Sequence, residues 1–148
     1  MYVSTYIQTI NKGGFNMNKY EMETIMKRAY YEVLDMLGIE NDEPELILAD
    51  VMKDKDLLGY HSRTKNIIVV KITDDTERMV ETLCHELRHA WQFRRYGSYY
   101  IRTYEELDQD DINDYWDCEF EVDAREFAKN NYEKVYNTVL ENCSYLFD

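Results

Sequence analysis

Apolar residues recur along this chain at intervals of three and four in four long stretches. Residues 18–37 and 74–96 show this spacing, and a glycine follows each of the two stretches. Two further stretches with the same period cover residues 119–128 and 131–148. This period is that of a helix with one buried face, and a glycine just beyond the last turn is a common helix stop. The pattern therefore predicts four helices.

Short apolar runs between polar turns predict three strands between the first two helices. The runs are Glu45–Met52, Leu57–His61 and Asn66–Ile72, and Pro44 ends the connection before the first of them. The polar residues 62–65 fit a turn between the last two runs. The order of elements predicts an α+β fold with an N-terminal helix, a small mixed three-stranded sheet and three following helices.

The second helical stretch contains the sequence His85, Glu86, Leu87, Arg88, His89, which has the form HExxH. Residues four apart share one face of a helix, so the two imidazoles can bind one metal ion. Glu86 would then reach a water molecule in the open position of the metal and act as the general base. The apolar positions around the motif place both histidines at the edge of the buried face. A chance match on a surface helix is the alternative interpretation.

A catalytic zinc ion takes three protein ligands, and the sequence contains one further histidine, His61. A carboxylate is the other choice for the third ligand. Glu121 lies one turn before Ala124 in the third helical stretch, and Ala128 follows one turn later. Because small residues let two helices approach closely, such a contact would bring the Glu121 carboxylate toward the metal. Glu119 is the alternative ligand.

The HExxH motif together with Glu121, Ala124, Phe127 and Ala128 resembles the gluzincin zinc metallopeptidases. It is also similar to small metallopeptidase-like domains of the ImmA/IrrE type and to related phage proteins. The resemblance covers residues 46–128. It implies a minimal zincin-like domain with Zn²⁺ as the cofactor, Glu121 as the third ligand and water in the fourth position. It also implies that the partner is a peptide or protein substrate.

The chain departs from this resemblance at one position. Many gluzincins carry an aspartate four residues after the ligand glutamate, where it orients a ligand histidine, and that position is Arg125 here. Asp123, Asp117 or a backbone carbonyl would then have to hold the histidine. With Glu119 as the ligand, the aspartate four residues later is Asp123, and the family spacing is restored.

Further candidates for a substrate cleft lie on either side of the motif. A tyrosine-rich connection follows the motif helix, and one of its hydroxyl groups could donate to the oxyanion. These tyrosines are Tyr99, Tyr100, Tyr104 and Tyr115. His61 could polarise a substrate carbonyl. By resemblance, the strand Asn66–Ile72 is expected at the edge of the sheet, where an extended peptide would pair with it.

Composition and charge narrow the choice of partners. Thirty Asp and Glu residues against seventeen Lys and Arg residues give a net charge of -13, which argues against nucleic-acid binding. The acidic residues concentrate between 105 and 126. This stretch could be an acidic surface exposed to solvent or a docking site for a basic partner.

The sequence shows no membrane span and no secretion signal. With three widely spaced cysteines, these features predict a cytoplasmic protein without disulfides.

The N-terminal segment carries a separate signal. Lys12, Gly13 and Gly14 can be encoded by a purine-rich ribosome-binding site a short distance upstream of Met17. We therefore expect residues 1–16 to be a non-native leader or a disordered N-terminus. Residues 17–148 are then expected to form a single domain, encoded by a bacterial or phage-borne gene.

The sequence thus predicts a zinc-dependent metallopeptidase that hydrolyses a restricted intracellular protein, for example as a phage or mobile-element regulator. The alternative is a non-catalytic binding protein on a zincin scaffold, whose metal site is structural or lost. Glu86 favours catalysis, because a structural site needs no general base. Arg125 favours the binding protein.

Overall fold

The computed structural model describes the backbone of residues 2–4, 10–12 and 15–147 and the side chains of residues 17–145. Its helices are α1 (Lys19–Leu37), α2 (Thr76–Tyr96), α3 (Ser98–Glu105), α4 (Ile112–Trp116) and α5 (Glu119–Asn142), followed by a 3-10 turn at Ser144–Phe147. Its strands are β1 (Tyr2–Ser4), β2 (Ile10–Lys12), β3 (Phe15–Met17), β4 (Glu45–Ala49), β5 (Gly59–Ser62) and β6 (Ile67–Lys71). In the described part of the chain, none of the helices combines the length and the apolar character that a membrane span requires.

The three strands predicted from the sequence form a mixed sheet, as expected. β4 and β6 run parallel, with Ile47 opposite Val69, and β5 pairs antiparallel with the other side of β6. β1 adds a fourth strand parallel to β4, which gives the order β1-β4-β6-β5. β2 and β3 form a separate antiparallel pair. The predicted α+β layout is confirmed.

The expectation that Asn66–Ile72 forms the edge of the sheet is wrong. This strand, β6, is hydrogen-bonded on both sides, and its three central residues are all buried. A continuous apolar run of this kind is typical of an interior strand. The edge next to the helices is β5, in which Tyr60 is exposed. β5 is therefore the edge strand beside these helices that an extended peptide could join.

The segments 119–128 and 131–148, which the sequence pattern predicted as two helices, belong to one helix that ends at Asn142. No glycine or proline interrupts α5, and Lys129 and Asn130, between the two apolar stretches, are exposed polar residues. A helix continues through such residues because they leave its hydrogen-bond ladder intact. A single helix, α5, therefore contains the candidate ligand in its first turn and core residues near its end.

The core lies between the sheet and the helices α1, α2 and α5. Its fully buried members include Met22, Ile25, Met26, Ala29, Val33, Leu46, Leu48, Ile68, Val70, Val80, Leu83 and Leu87. Side-chain caps fix where the first two helices begin. Asn18 accepts a hydrogen bond from the backbone N–H of Glu21 at 2.9 Å, and Asp75 accepts one from the backbone N–H of Arg78 at 3.1 Å. These caps set the register in which α2 presents its histidines.

The start-site hypothesis concerns residues 1–16. Residues 1, 5–9 and 13–14 lie outside the described residues. The rest of the segment contributes backbone to β1, β2 and β3. The proposed start at Met17 and the leader before it stay predictions.

The edge strand β5 comes very close to α2 at Gly59. A Cβ atom at this position would lie 2.6 Å from Cγ2 of Thr82 and 2.7 Å from the carbonyl oxygen of Val69. The same atom would lie 3.5 Å from Cγ of Glu86. Glycine therefore allows the edge strand to lie directly beside the candidate base.

We expect Gly59→Ala to lower the free energy of unfolding by about 1 to 3 kcal/mol, the usual cost of overpacking a tight contact. Urea denaturation of the variant and the wild type measures the difference. Thr82→Ser removes one clashing methyl group and keeps the hydroxyl group. It should restore part of the loss in the double variant and change little alone. Equal stability of Gly59→Ala and wild type would contradict the close approach.

Candidate metal centre

Two helices bring the candidate ligands together. His85 and His89 lie one turn apart on α2, and their rings meet edge to face with 4.8 Å between centroids. Glu121 lies in the first turn of α5. Ala124 and Ala128 are small, buried residues one and two turns further along α5, which packs against α2. This close packing carries the Glu121 carboxylate to the histidine pair.

The three donor groups converge on one point. Nε2 of His89 lies 3.1 Å from Nε2 of His85 and 3.0 Å from Oε2 of Glu121. Nε2 of His85 lies 3.4 Å from Oε1 of Glu121. Donors that each sit about 2.1 Å from a tetrahedral zinc ion are about 3.4 Å apart. Two imidazoles and a carboxylate at these separations therefore fit the donor set of a zinc site.

Gln92 fixes which nitrogen of His89 faces the other donors. Its amide nitrogen donates to the backbone carbonyl of Phe120 at 2.9 Å and to Oδ2 of Asp123 at 2.7 Å. Because both partners are acceptors, the amide oxygen must be the atom that lies 2.8 Å from Nδ1 of His89. Nδ1 therefore carries the proton of the neutral ring. The lone pair of Nε2 then faces the Glu121 carboxylate, an arrangement that suits a metal ion between them.

Asp123 extends this chain of contacts to Arg88. The guanidinium binds the carboxylate through two hydrogen bonds, from Nε to Oδ2 at 2.8 Å and from Nη2 to Oδ1 at 3.1 Å. Burial opposes ionisation of Asp123, but the hydrogen bonds from Arg88 and Gln92 outweigh it and lower the pKa of the carboxyl group. Arg125 takes no part, because its guanidinium lies 3.7 Å from the centre of the Trp116 ring. Asp123 thus supports the histidine through Gln92.

Glu119 does not reach the histidines. It lies two residues before Glu121, and residues two apart point to nearly opposite sides of a helix. The Glu119 carboxylate accepts a hydrogen bond from the Tyr99 hydroxyl group at the surface, whereas Glu121 is 3% exposed. Among the described residues, the cluster with the geometry of a metal site consists of His85, His89 and Glu121. Of the two glutamates that the sequence left open, the structure places Glu121 at the site.

Glu86, the candidate base, is buried beside the histidine pair and lines a cleft in front of it. Burial raises the pKa of its carboxyl group. The imidazoles of His89 and His85 oppose this shift, and the charge of Glu121 adds to it. A carboxylate with a raised pKa accepts a proton more readily, which suits a general base.

Two tyrosines contact the candidate ligand Glu121. The hydroxyl group of Tyr115 forms a side-chain hydrogen bond with its carboxylate. The hydroxyl group of Tyr104 donates to Oε2 of Glu121 at 2.5 Å. Tyr100 is buried behind it, with its ring 4.9 Å from the Tyr104 ring and 6.3 Å from the His89 ring. Tyr99 lies at the surface with Glu119. Of the four candidates for an oxyanion donor, Tyr104 and Tyr115 have a hydroxyl group at the site.

A cleft crosses the site, with β5 as one wall and residues of α3, α4 and α5 as the other. Its His89-side lobe has a volume of about 420 Å³ and is lined by residues that include His61, Arg63, Tyr104 and Glu105. Its His85-side lobe has a volume of about 540 Å³ and is lined by residues that include Leu58, Thr82, Trp116 and Arg125. Gly59, Glu86 and Tyr115 line both lobes. The two lobes therefore meet at the candidate base.

His61 lines the His89-side lobe and is not part of the donor cluster. Burial lowers its pKa to about 4, and the charges of His89, Arg94 and Arg63 act in the same direction. The ring is therefore neutral at neutral pH. A neutral imidazole can still donate one hydrogen bond to a carbonyl group in the cleft.

A family model matches residues 31–139, from the middle of α1 to the last turns of α5 and well over half of the sequence. The chain belongs to the DUF3920 family. The family is described as a protein of unknown function, so membership assigns this chain no activity. No curated protein and no solved structure matches the chain. The matched range contains every residue of the candidate metal centre.

Two residues that support the candidate metal centre, Gln92 and Arg88, were not identified from the sequence. Gln92 lies three residues after His89, and residues three apart are neighbours on a helix, so the spacing could have pointed to it. Arg88 occupies a variable position inside the motif. Its pairing with Asp123 depends on how α2 and α5 cross, which no local pattern encodes.

If the candidate centre binds zinc, we expect Gln92→Met to weaken this binding about 10- to 100-fold, because the His89 ring loses its hydrogen-bond acceptor. Competition with a chromophoric chelator measures the affinity. Gln109→Met, at the wall of the cleft, is the matched control and should leave the affinity unchanged. If Gln92→Met bound zinc as tightly as wild type, other contacts would have to orient the ring.

Proposed function

We propose that this protein is a zinc-dependent peptidase with His85, His89 and Glu121 as the metal ligands. The observation that supports it best is the convergence of the three donors around a His89 ring whose Nε2 lone pair faces inward. A structural zinc site takes four protein ligands, whereas this cluster has three and opens onto a cleft. The arrangement favours a catalytic site.

Glu86 carries the proton transfers in the proposed reaction. Zinc bound at the site would lower the pKa of a water molecule toward neutrality and polarise the substrate carbonyl. Glu86 takes a proton from the water as the water oxygen bonds to the carbonyl carbon. It then delivers this proton to the amide nitrogen as the C–N bond breaks. The products are a carboxylic acid and an amine, and transfer of the second proton of the water from the acid to the amine gives a carboxylate and an ammonium group.

The proposed substrate is a peptide segment that lies along β5. In the described part of the chain, this strand pairs with β6 on one side, and its residues line both lobes of the cleft. Unpaired N–H and C=O groups at a sheet edge can bond to an extended chain. Because a lobe lies on each side of Glu86, the cleft suits residues on both sides of the cleaved bond.

We expect the substrate to be a protein and the compartment to be the cytoplasm. Cys84, Cys118 and Cys143 are free and buried, which suits a reducing compartment. The net charge of -13 argues against a nucleic-acid partner. By its resemblance to small phage metallopeptidase-like domains, the protein would act on one regulatory or host protein and not in bulk proteolysis.

The alternative is a non-catalytic binding protein on the same scaffold. Such a protein has no need of a buried carboxylate between a metal centre and a cleft, and Glu86 occupies that position. Arg125 favoured this alternative because it replaces an orienting aspartate. Gln92 and Asp123 supply the orienting contact instead, so the arginine at position 125 does not favour a binding protein.

We expect Glu86→Gln to retain zinc and to lose peptide cleavage by about 100- to 10,000-fold, because an amide cannot accept the proton of the water. Mass spectrometry of a proteome-derived peptide library, incubated with each protein, measures cleavage. Glu105→Gln, a carboxylate at the wall of the cleft, is the matched control. Zinc without cleavage in the wild type would support the binding-protein alternative.

Elemental mass spectrometry measures the zinc content of the ligand variants and so tests metal binding independently of peptide cleavage. His85→Ala, His89→Ala and Glu121→Ala should each lose zinc, because each removes one of three ligands. Glu119→Ala should retain near-stoichiometric zinc. Wild-type zinc content in Glu121→Ala would rule out this ligand set.

Tyr104 is the proposed oxyanion donor, because its hydroxyl group already lies against a metal ligand. We expect Tyr104→Phe to lower kcat about 100-fold or more with little change in KM. Tyr99→Phe removes a surface hydroxyl group from the same helix and serves as the control. A loss of zinc affinity in Tyr104→Phe at unchanged kcat of the loaded protein would show that the hydroxyl group only supports Glu121.

A further inference from the structure

The His85-side lobe contains two cationic side chains that the proposed hydrolysis does not use. Arg125 and Lys129 lie one turn apart on α5, and both line the lobe that also contains His85 and Glu86. Arg125 is also the only basic residue in the acidic stretch 105–126. A positive charge thus stands at the cleft wall in a segment that otherwise repels anions.

Trp116 holds the Arg125 guanidinium in place. The guanidinium carbon lies 3.7 Å from the centre of the Trp116 ring, and both side chains line the His85-side lobe. Stacking on an aromatic face restricts the guanidinium and leaves the N–H groups along its edge available. An arginine held in this way loses less conformational entropy when it binds a planar anion.

The donors of Arg125 are not used within the described part of the protein. No carboxylate of a described residue lies within ion-pair distance of it, and its guanidinium stacks on the Trp116 ring. Arg88 is the other arginine beside the metal centre. It differs because its Nε and Nη2 groups both donate to the Asp123 carboxylate. Arg88 is therefore structural, and Arg125 is free to bind a ligand.

We propose that Arg125 forms a carboxylate-binding subsite of the cleft on the His85 side of the metal centre. The subsite takes an acidic side chain or the C-terminal carboxylate of the peptide substrate, with Lys129 adding positive charge. An arginine fork matches the two oxygens of a carboxylate. This assignment rests on the proposed peptidase function and defines its substrate class.

Carboxylates in the same lobe limit the charge that the subsite accepts. Asp56 and Glu81 also line it, and Glu81 is already bound by Arg78 at 2.9 Å. Glu86 adds a further negative group between the lobes. A singly charged carboxylate therefore fits this surface better than a doubly charged phosphate, which the acidic groups would repel more strongly.

Binding of small hydroxamates tests the subsite without turnover. The probes are the monohydroxamates of succinic, glutaric and adipic acids, each compared with the analogue whose free carboxyl group is a neutral amide. The hydroxamate group needs only the metal, and the chain length varies the reach toward Arg125. We expect at least one acid to bind zinc-loaded wild type about 10- to 100-fold more tightly than its amide. Arg125→Gln should remove this preference and leave amide binding unchanged.

Two further arginine variants control for general charge effects. Arg95→Gln alters an arginine near a tryptophan ring outside the cleft, and Arg63→Gln alters one in the His89-side lobe. Both should keep the preference for the acid. Equal binding of acids and amides by wild type, or the same loss of preference in Arg63→Gln, overturns the subsite alone. Failure of both probe series to bind overturns the metal centre and the subsite together.

Peptide cleavage distinguishes the two sources of the carboxylate. An acidic side chain at a fixed position from the cleaved bond, still required when the peptide ends in an amide, identifies a side-chain subsite. Cleavage at a fixed distance from a free C-terminus, abolished by C-terminal amidation, identifies a terminal carboxylate. Arg125→Gln, checked for zinc content and melting temperature, should lose whichever preference the wild type shows. Cleavage by wild type without any carboxylate preference overturns the assignment and leaves the peptidase function standing.

Discussion

Helices α2 and α5 pack so closely that a side chain of one reaches the backbone of the other. Gln92 of α2 donates to the carbonyl of Phe120 in the first turn of α5 at 2.9 Å. Ala124 and Ala128 are buried at this contact, and their side chains are small enough to allow the close approach. The separation of the helices sets the distance between the histidine pair and Glu121. The geometry of the whole site therefore depends on the packing of the apolar core between these two helices.

Arg88 of α2 contacts α5 at the outer side of this helix pair. Its guanidinium lies 3.8 Å from the centre of the Trp91 ring and 4.9 Å from that of Phe127, while its edge binds Asp123. The rings cover the face of the Arg88 guanidinium and restrict it to the orientation in which it binds Asp123. Packing holds Arg88, Arg88 holds Asp123, and Asp123 holds the amide of Gln92. His89, a candidate metal ligand, is thus oriented by a chain of contacts that begins in the core.

Local signals made part of this site predictable from the sequence. The spacing within HExxH places His85 and His89 on one face of any helix, and the small residues after Glu121 indicated the close approach of that segment. The remaining features depend on contacts between distant segments. Whether β5 or β6 lies at the edge depends on which of them pairs with β4, and the link from Gln92 to Asp123 depends on how two helices cross. Short strands and polar surface residues carry little local information on such choices.

The charge of the site is a separate argument for a bound cation. Glu86 and Glu121 are both buried, and neutral imidazoles do not compensate their charges, while the charge of Arg88 is taken up by Asp123. Buried carboxylates of this kind need positive charge from protons or from a metal. Burial raises the pKa of Glu86, and although burial also opposes the charged form of His89, the hydrogen bond to Glu121 raises the pKa of that ring. On the proposed function, one divalent cation would neutralise both carboxylates and leave the histidines in the uncharged form that a metal ligand requires. Protons and the metal would then compete for the same site, and uptake of the metal would release protons.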